Sequence, residues 1–159
     1  MIILFAITAV LSIVFVFGDP RFDHRLLIVG AVAPSVTMLV GGWVLVMNSI
    51  VAAIAALIVV MVVTAGRRPI RRTLLGLPIG MLLHCVFRGV WSSTDVFWWP
   101  FTGGDLSSAD AVITGGGVLP ALVFEATGIA LAAWTWRRAG LGVAEARRRF
   151  VATGQLVLS

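Results

Sequence analysis

The chain has no lysine, one cysteine and two histidines, and only 12% of it is charged. Each shortage excludes something. A single cysteine, Cys85, rules out an intramolecular disulfide and any CxxC metal or redox pair; inside an apolar segment it reads as a small packing residue. With 60% of the 159 residues hydrophobic, polar surface is too scarce to cover an apolar core, so the composition excludes a soluble globule and reads as an integral membrane protein. The net charge of +5 is carried by twelve arginines in short clusters beside apolar segments. Orientation in a membrane accounts for such clusters better than nucleic-acid binding does. Serine-nucleophile motifs, phosphate loops and a haem-ligating histidine pair are also missing.

What is present is a series of apolar runs. Residues 1–17 have the length of a signal peptide but no basic start and no small-residue cleavage site, so they read as a retained first span. The turn that follows holds Asp19, Pro20, Arg21, Asp23, His24 and Arg25, and reads as an interfacial turn with locally paired charges. Residues 26–47 make a second span interrupted by Pro34 and Gly41-Gly42, and residues 49–65 a third, just long enough for a hydrocarbon layer of about 30 Å. After GRRPIRR comes a fourth span, residues 73–91, in which Gly76 and Gly80 form a GxxxG pair suited to close helix approach. A long loop, residues 92–117, carries Asp95, WWPF, Asp105 and Asp110; a connection of that length is usually functional, and residues 105–113 are expected to form a short interfacial helix. The fifth span is residues 118–136, with Pro120 and Glu125 inside it. The expected organisation is one helical membrane domain, residues 1–137, and a basic cytoplasmic tail, residues 138–159, able to lie as an amphipathic helix on an anionic leaflet.

Five spans place every arginine except Arg88 on one side, in the Arg21-Arg25 turn, the Arg67-Arg72 loop and the tail. The other side receives the N-terminus, the Asn48 turn and the acidic long loop. By the positive-inside rule, the fold expected is all-α with about five transmembrane helices, several kinked at Pro or Gly, N-terminus outside and C-terminus cytoplasmic, as a multi-pass protein of a bacterial inner membrane.

Polar residues with chemistry gather near the outer ends of the last two spans. His84 and Arg88 are four apart, on one helical face. Counted from the span ends, His84 and Glu125 each lie eight residues in, about 12 Å at 1.5 Å per residue, with Arg88 one turn nearer the surface. Ionisable groups at such depth are costly and face partners or cavities. The expectation is an intramembrane network of His84, Arg88 and Glu125 in which the fourth and fifth spans pack together, Glu125 ionised against Arg88 and His84 neutral beside them. Trp91, Trp98, Trp99 and Phe101 read as an interface to lipid or to a partner protein.

His84, a following Thr94-Asp95 and the Trp99-Pro100-Phe101 ending give residues 18–104 a likeness to a known family. The order resembles the YdjM-like bacterial inner-membrane metal-dependent hydrolases, themselves similar to zinc-dependent phospholipase C. That pattern has Pro-Asp-x-x-Asp, a His-Ser or His-Thr pair, His-x-x-x-Asp, then a Trp-Pro-Phe-like stretch. Here Ser35 and Met38 stand where the first two aspartates fall, Asn48-Ser49 replaces the histidine pair, and Arg88 stands at the last aspartate. Dications need several carboxylate or imidazole ligands, so the resemblance implies an inherited membrane fold with a degenerate metal site and no metal held. Asp19, Asp23, His24, Asp95 and Glu125 are the ligand types left over, the first three on the far side of the membrane from His84.

The function expected is a non-catalytic integral membrane subunit or scaffold that associates with membrane lipid and with another integral membrane protein, without a cofactor. Two alternatives stand beside it. One is a zinc-dependent hydrolase of a lipid or lipid-linked phosphodiester at the outer leaflet, its catalytic candidates being His84, Asp95 and Glu125. The other is a small transporter lined by helices kinked at Pro34, Pro78 and Pro120.

Overall fold

The computed structural model describes residues 2–18, 22–40, 47–102 and 118–156. All regular structure among them is helical. Helix α1 is Ile2–Phe17, α2 His24–Val40, α3 Ile50–Val63, α4 Arg68–Leu74 and α5 Gly76–Phe87; a 3-10 turn, Val90–Ser92, and the short α6, Thr94–Phe97, follow, then α7, Val118–Arg138, and α8, Ala144–Thr153. The expected helix within residues 105–113, together with Asp105, Asp110, Asp19, Arg21 and Gly41-Gly42, lies outside the described residues.

Local chemistry sets the boundaries. Ser49 Oγ accepts from the Ala52 N–H at 3.1 Å, capping the start of α3. Thr64 donates its hydroxyl back to the Val60 carbonyl at the end, and Gly66 at φ +81° turns the chain away. Pro69 then opens α4 within its first turn, where a missing N–H costs nothing. The α4–α5 break at Leu75 has its cause three residues on: Pro78 has no N–H to offer the Leu74 carbonyl, while Ile79 N–H still reaches Leu75 O at 3.2 Å. The two therefore run on as one 20-residue apolar helix, Arg68–Phe87. This replaces the expected residues 73–91. The helix starts earlier, inside the arginine cluster, and stops earlier, because Gly89 at φ +74° takes the left-handed position after the Arg88 cap.

The helices alternate in direction. Residues of α2 meet α5 in ascending order, Gly76 against Leu27 and Asp23, Gly80 against Leu27 and Ala31, His84 against Ala31, so these two run parallel. Helix α7 is parallel to α1, since Glu125 meets Ile3 and Gly128 meets Leu4. The start of α3 at Asn48 meets Cys85 near the end of α5, so that pair is antiparallel. One end of the bundle thus collects the starts of α1, α3 and α7 with the aromatic loop. The opposite end collects the Arg67 to Arg72 segment, the end of α7 and α8.

The GxxxG pair is spent inside the chain. A Cβ on Gly80 would run into the Leu27 carbonyl oxygen and one on Gly30 into the Leu77 carbonyl oxygen, so α2 and α5 touch backbone to backbone. Around this seam the core is built from Ala9, Val10 and Ile13 of α1, Leu27 and Ala31 of α2, and Leu141 and Leu156 near the C-terminus. Outside it the surface is strongly apolar: Ile58, Val59, Val62 and Val63 of α3 and Leu122, Val123 and Ile129 of α7 are all more than half exposed. Among the described residues, Arg68–Phe87 is the one helix both long and apolar enough to cross a membrane, with mean hydropathy 1.3; the apolar stretches Ile2–Val16, His24–Val36 and Ile50–Val63 are shorter.

Candidate functional site

His84 sits in the last turn of α5, fully buried. Its Nδ1 lies 2.7 Å from the Ala31 carbonyl oxygen. A carbonyl only accepts, so the proton is on Nδ1 and Nε2 carries the lone pair. Nε2 has no hydrogen-bond partner among the described residues. The ring lies against Phe5, centroids 4.6 Å apart and planes tilted by 58°. Next to it the Cys85 thiol donates to the Asn48 carbonyl at 3.5 Å. Arg88 is half-buried at the helix cap.

Glu125 has a neighbour that sequence reasoning missed. Its Oε1 accepts the backbone N–H of Ile3 at 3.1 Å, so a carboxylate from α7 serves one of the four N–H groups that the first turn of α1 cannot satisfy internally, at the positive end of the helix dipole. Ile3 and Phe5 are about 3 Å apart along a helix axis at 1.5 Å per residue, so the first turn of α1 meets both Glu125 and the His84 ring. Helices α5 and α7 each pack on α1, so the expected network meets a third helix that depth arithmetic, which gives a level and no azimuth, did not supply.

Beyond Gly89 the chain folds back over the helix end. Val90 and Val96 are buried against Cys85, with Phe97 and Trp99 packed beside them. On that footing Trp91, Trp98 and Phe101 are held outward, at 70%, 50% and 79% exposure; Trp98 is fixed further by edge contact with Phe97, centroids 5.1 Å apart. Asp95 is exposed on α6, where its backbone carbonyl accepts the Thr102 hydroxyl at 3.0 Å, while His84 is enclosed beneath. The positions singled out by the family resemblance fall at this same end. Ser35 is buried one turn after Ala31 on α2, Asn48 and Ser49 are buried at the contact with Cys85, and Arg88 is one turn from His84; the Met38 side chain is outside the description. No three His, Cys, Asp or Glu side chains converge among the described residues.

A second cluster, at the arginine-rich end, is more tightly built than a solvated turn. Asp23 pairs with Arg25 through Oδ1 to Nε at 3.0 Å and Oδ2 to Nη2 at 2.7 Å, as local pairing predicts. Asp23 and His24 are nonetheless buried, because the C-terminal segment closes on them. Arg25 Nη1 donates to the Val151 and Ala152 carbonyls at 2.6 and 3.3 Å. The His24 N–H and Nδ1 both reach the Gly154 carbonyl, at 2.9 and 3.1 Å. Arg25 thus serves the otherwise unsatisfied carbonyls at the negative end of α8. The Arg25 guanidinium holds the Asp23 carboxyl below the usual range and is itself raised by it, whereas burial pushes His24 below its ordinary value. One face of the tail is docked on the bundle, where Leu141, Phe150 and Leu156 pack on the core. No family model, curated protein or solved structure matches the chain.

Proposed function

We propose that the chain is a five-span protein of a bacterial inner membrane, N-terminus outside and C-terminus cytoplasmic, that keeps a YdjM-like hydrolase fold with a degenerate metal site and works as a non-catalytic subunit holding another membrane protein. The observation that carries the partner role is the aromatic platform. Val90 and Val96 are both 1% exposed beneath it, while Trp91, Trp98 and Phe101 face outward from a folded footing. Rigid aromatics presented at low ordering cost are what binding hot spots use. A flexible tether would have no reason to bury its valines.

Several features support the membrane reading. Helix direction alternates so that the arginines gather at one end, and only a third of Arg68–Phe87 is buried inside the protein, whereas the core helix of a soluble domain is mostly enclosed. Helices of 14 to 17 residues span about 21 to 26 Å at 1.5 Å per residue, a few ångströms short of a typical hydrocarbon layer, a mismatch that local thinning of the bilayer meets. The inherited fold is supported by the convergence of Ser35, Asn48-Ser49, His84 and Arg88 at one end of the bundle, where the resemblance would set ligands. With the GxxxG face of α5 closed on α2, the partner surface is the aromatic platform and not the small-residue seam.

The test is a photoreactive residue in place of Trp98, activated in intact membranes. One discrete protein adduct is expected; adducts to lipid alone would defeat the partner reading. A second reading, the zinc hydrolase, has one specific observation in its favour. A histidine whose Nδ1–H is fixed by a backbone carbonyl, with Nε2 left as the lone-pair nitrogen, has the orientation of a metal ligand. Stoichiometric zinc in the purified protein, lost in His84→Ala, would move the assignment to it.

A further inference from the structure

Helix α8 turns Ala146 and Phe150 toward the bundle and leaves Ala144, Arg147, Arg148, Val151 and Ala152 on the opposite face, at spacings of three and four. Those five line a shallow open depression whose surface is almost wholly apolar, with Arg147 and Arg148 among its lining residues. Val151 is 68% exposed there. Arg147 and Arg148 make no ion pair among the described residues, whereas the neighbouring Arg25 charge is matched by Asp23 at 2.7 Å. The depression therefore carries uncompensated positive charge over hydrocarbon.

Its position narrows the ligand. Helix α7 ends in WTWRR, with Trp134 and Trp136 exposed at 42% and 47% and Arg138 lying over the Trp134 ring at 5.7 Å. Tryptophan followed by arginine marks the depth where hydrocarbon gives way to headgroups, and α8 begins six residues after Arg138. The helix is also fixed before any ligand arrives, by the Arg25 bonds to Val151 and Ala152 and the His24 bonds to Gly154. A docked helix spares the ordering cost that a free amphipathic tail meets on binding.

We propose that this face of α8 binds the phosphate headgroup of an anionic phospholipid of the adjoining leaflet, with Arg147 and Arg148 on the phosphate and Val151 against the first acyl carbons. A soluble phosphate would satisfy the arginines and leave the apolar floor wet; a lipid covers both. The inference rests on the membrane-spanning reading, and the experiment separates the two.

The full chain, with Cys85→Ala and Val143→Cys carrying a fluorophore, is placed in phosphatidylcholine vesicles containing phosphatidylglycerol or phosphatidylcholine brominated near the top of the acyl chains. Brominated phosphatidylglycerol is expected to quench at a several-fold lower mole fraction than brominated phosphatidylcholine. Arg147→Gln with Arg148→Gln should abolish that preference, since each charge near an anionic surface is worth about fivefold, while Arg67→Gln with Arg68→Gln should leave it in place. Equal quenching by the two lipids, or equal loss in both double variants, overturns the site and points to a diffuse field at that end. A second reporter, Ile58→Cys midway along the exposed face of α3, reads the spanning claim separately with phosphatidylcholine brominated near the ends of the acyl chains. Quenched there, it upholds the spanning reading whatever α8 does; unquenched, it overturns both.

Discussion

Replacing Gly80 by alanine sets two effects of opposite sign against each other, and the α2–α5 seam decides between them. Alanine is the better helix former by about 1 kcal/mol, so at an open position the change would stabilise. At Gly80 the new methyl would collide with the Leu27 carbonyl oxygen, lie 2.7 Å from the Ala31 nitrogen and 3.0 Å from the Gly30 carbonyl carbon. All three are backbone atoms of a packed helix, which cannot rotate aside as a side chain can. Overpacking of this kind costs about 1 to 3 kcal/mol and occasionally more, and the rigidity of the neighbours argues for the upper part of that range. The His84 to Ala31 hydrogen bond, 2.7 Å long, crosses the same seam and would stretch with it. A net loss of about 1 to 2 kcal/mol follows. Gly142→Ala, in the turn before α8, is the control for an unobstructed glycine, since a Cβ there meets nothing within 4 Å and its φ is ordinary; it should melt at or slightly above the parent. The measurement is thermal unfolding of both variants in one mild detergent. Gly80→Ala melting as high as Gly142→Ala would refute the backbone seam and return the GxxxG face to an external partner.

Three further outcomes are expected. Glu125→Leu removes the acceptor for the Ile3 N–H and should destabilise by about 1 to 3 kcal/mol, with faster hydrogen exchange confined to the first turn of α1; Glu125→Gln, which keeps an oxygen and loses the charge at the helix start, should cost less than 1 kcal/mol. Acid should loosen the C-terminal clip. His24 has a folded value below its ordinary 6.5, so the unfolded chain binds the proton more readily and stability falls as pH drops from about 6.5 through the folded value. Asp23, depressed below 3.8, adds a second loss in the same direction at lower pH; trypsin cleavage at Arg147 to Arg149 that does not change between pH 7 and pH 5 would contradict this. With Cys85 replaced, a membrane-impermeant thiol reagent should reach Phe101→Cys from outside and Gly142→Cys only after the membrane is opened, and labelling of both from one side would remove the five-span topology.

How much of this was legible depended on whether the cause was local. Apolar runs and arginine clusters mark the five long helices and their direction, because each signal lies within the segment it describes. The end of α5 was local too and was missed: Gly89 directly after Arg88 is a left-handed cap signal, obscured by the apolar Val90-Trp91 that follow. Partner choice was not local. Gly76 and Gly80 announce a close approach without saying to what, and the answer, Leu27 and Ala31, lies about fifty residues upstream in a helix that is not a sequence neighbour. The same limit governed Glu125, whose hydrogen-bond donor is 122 residues away and belongs to the backbone. A backbone N–H has no residue type to recognise.

That limit also explains why the two polar clusters read so differently from sequence and in three dimensions. His84 and Glu125 invite a catalytic or ion-pair reading because they are ionisable types at depth, yet each is bonded to backbone: His84 to the Ala31 carbonyl, Glu125 to the Ile3 N–H. His24 and Arg25 do the same at the other end, toward Gly154, Val151 and Ala152. In a membrane such bonds gain importance, because helix ends and proline-adjacent turns expose backbone groups that no water in the hydrocarbon can satisfy. Ionisable side chains drawn into that service hold helices in register, α5 to α2, α7 to α1 and α8 to α2. With these side chains turned to backbone, the surfaces that remain outward, the aromatic platform at one end and the Arg147-Arg148 face at the other, are the ones we propose for recognition.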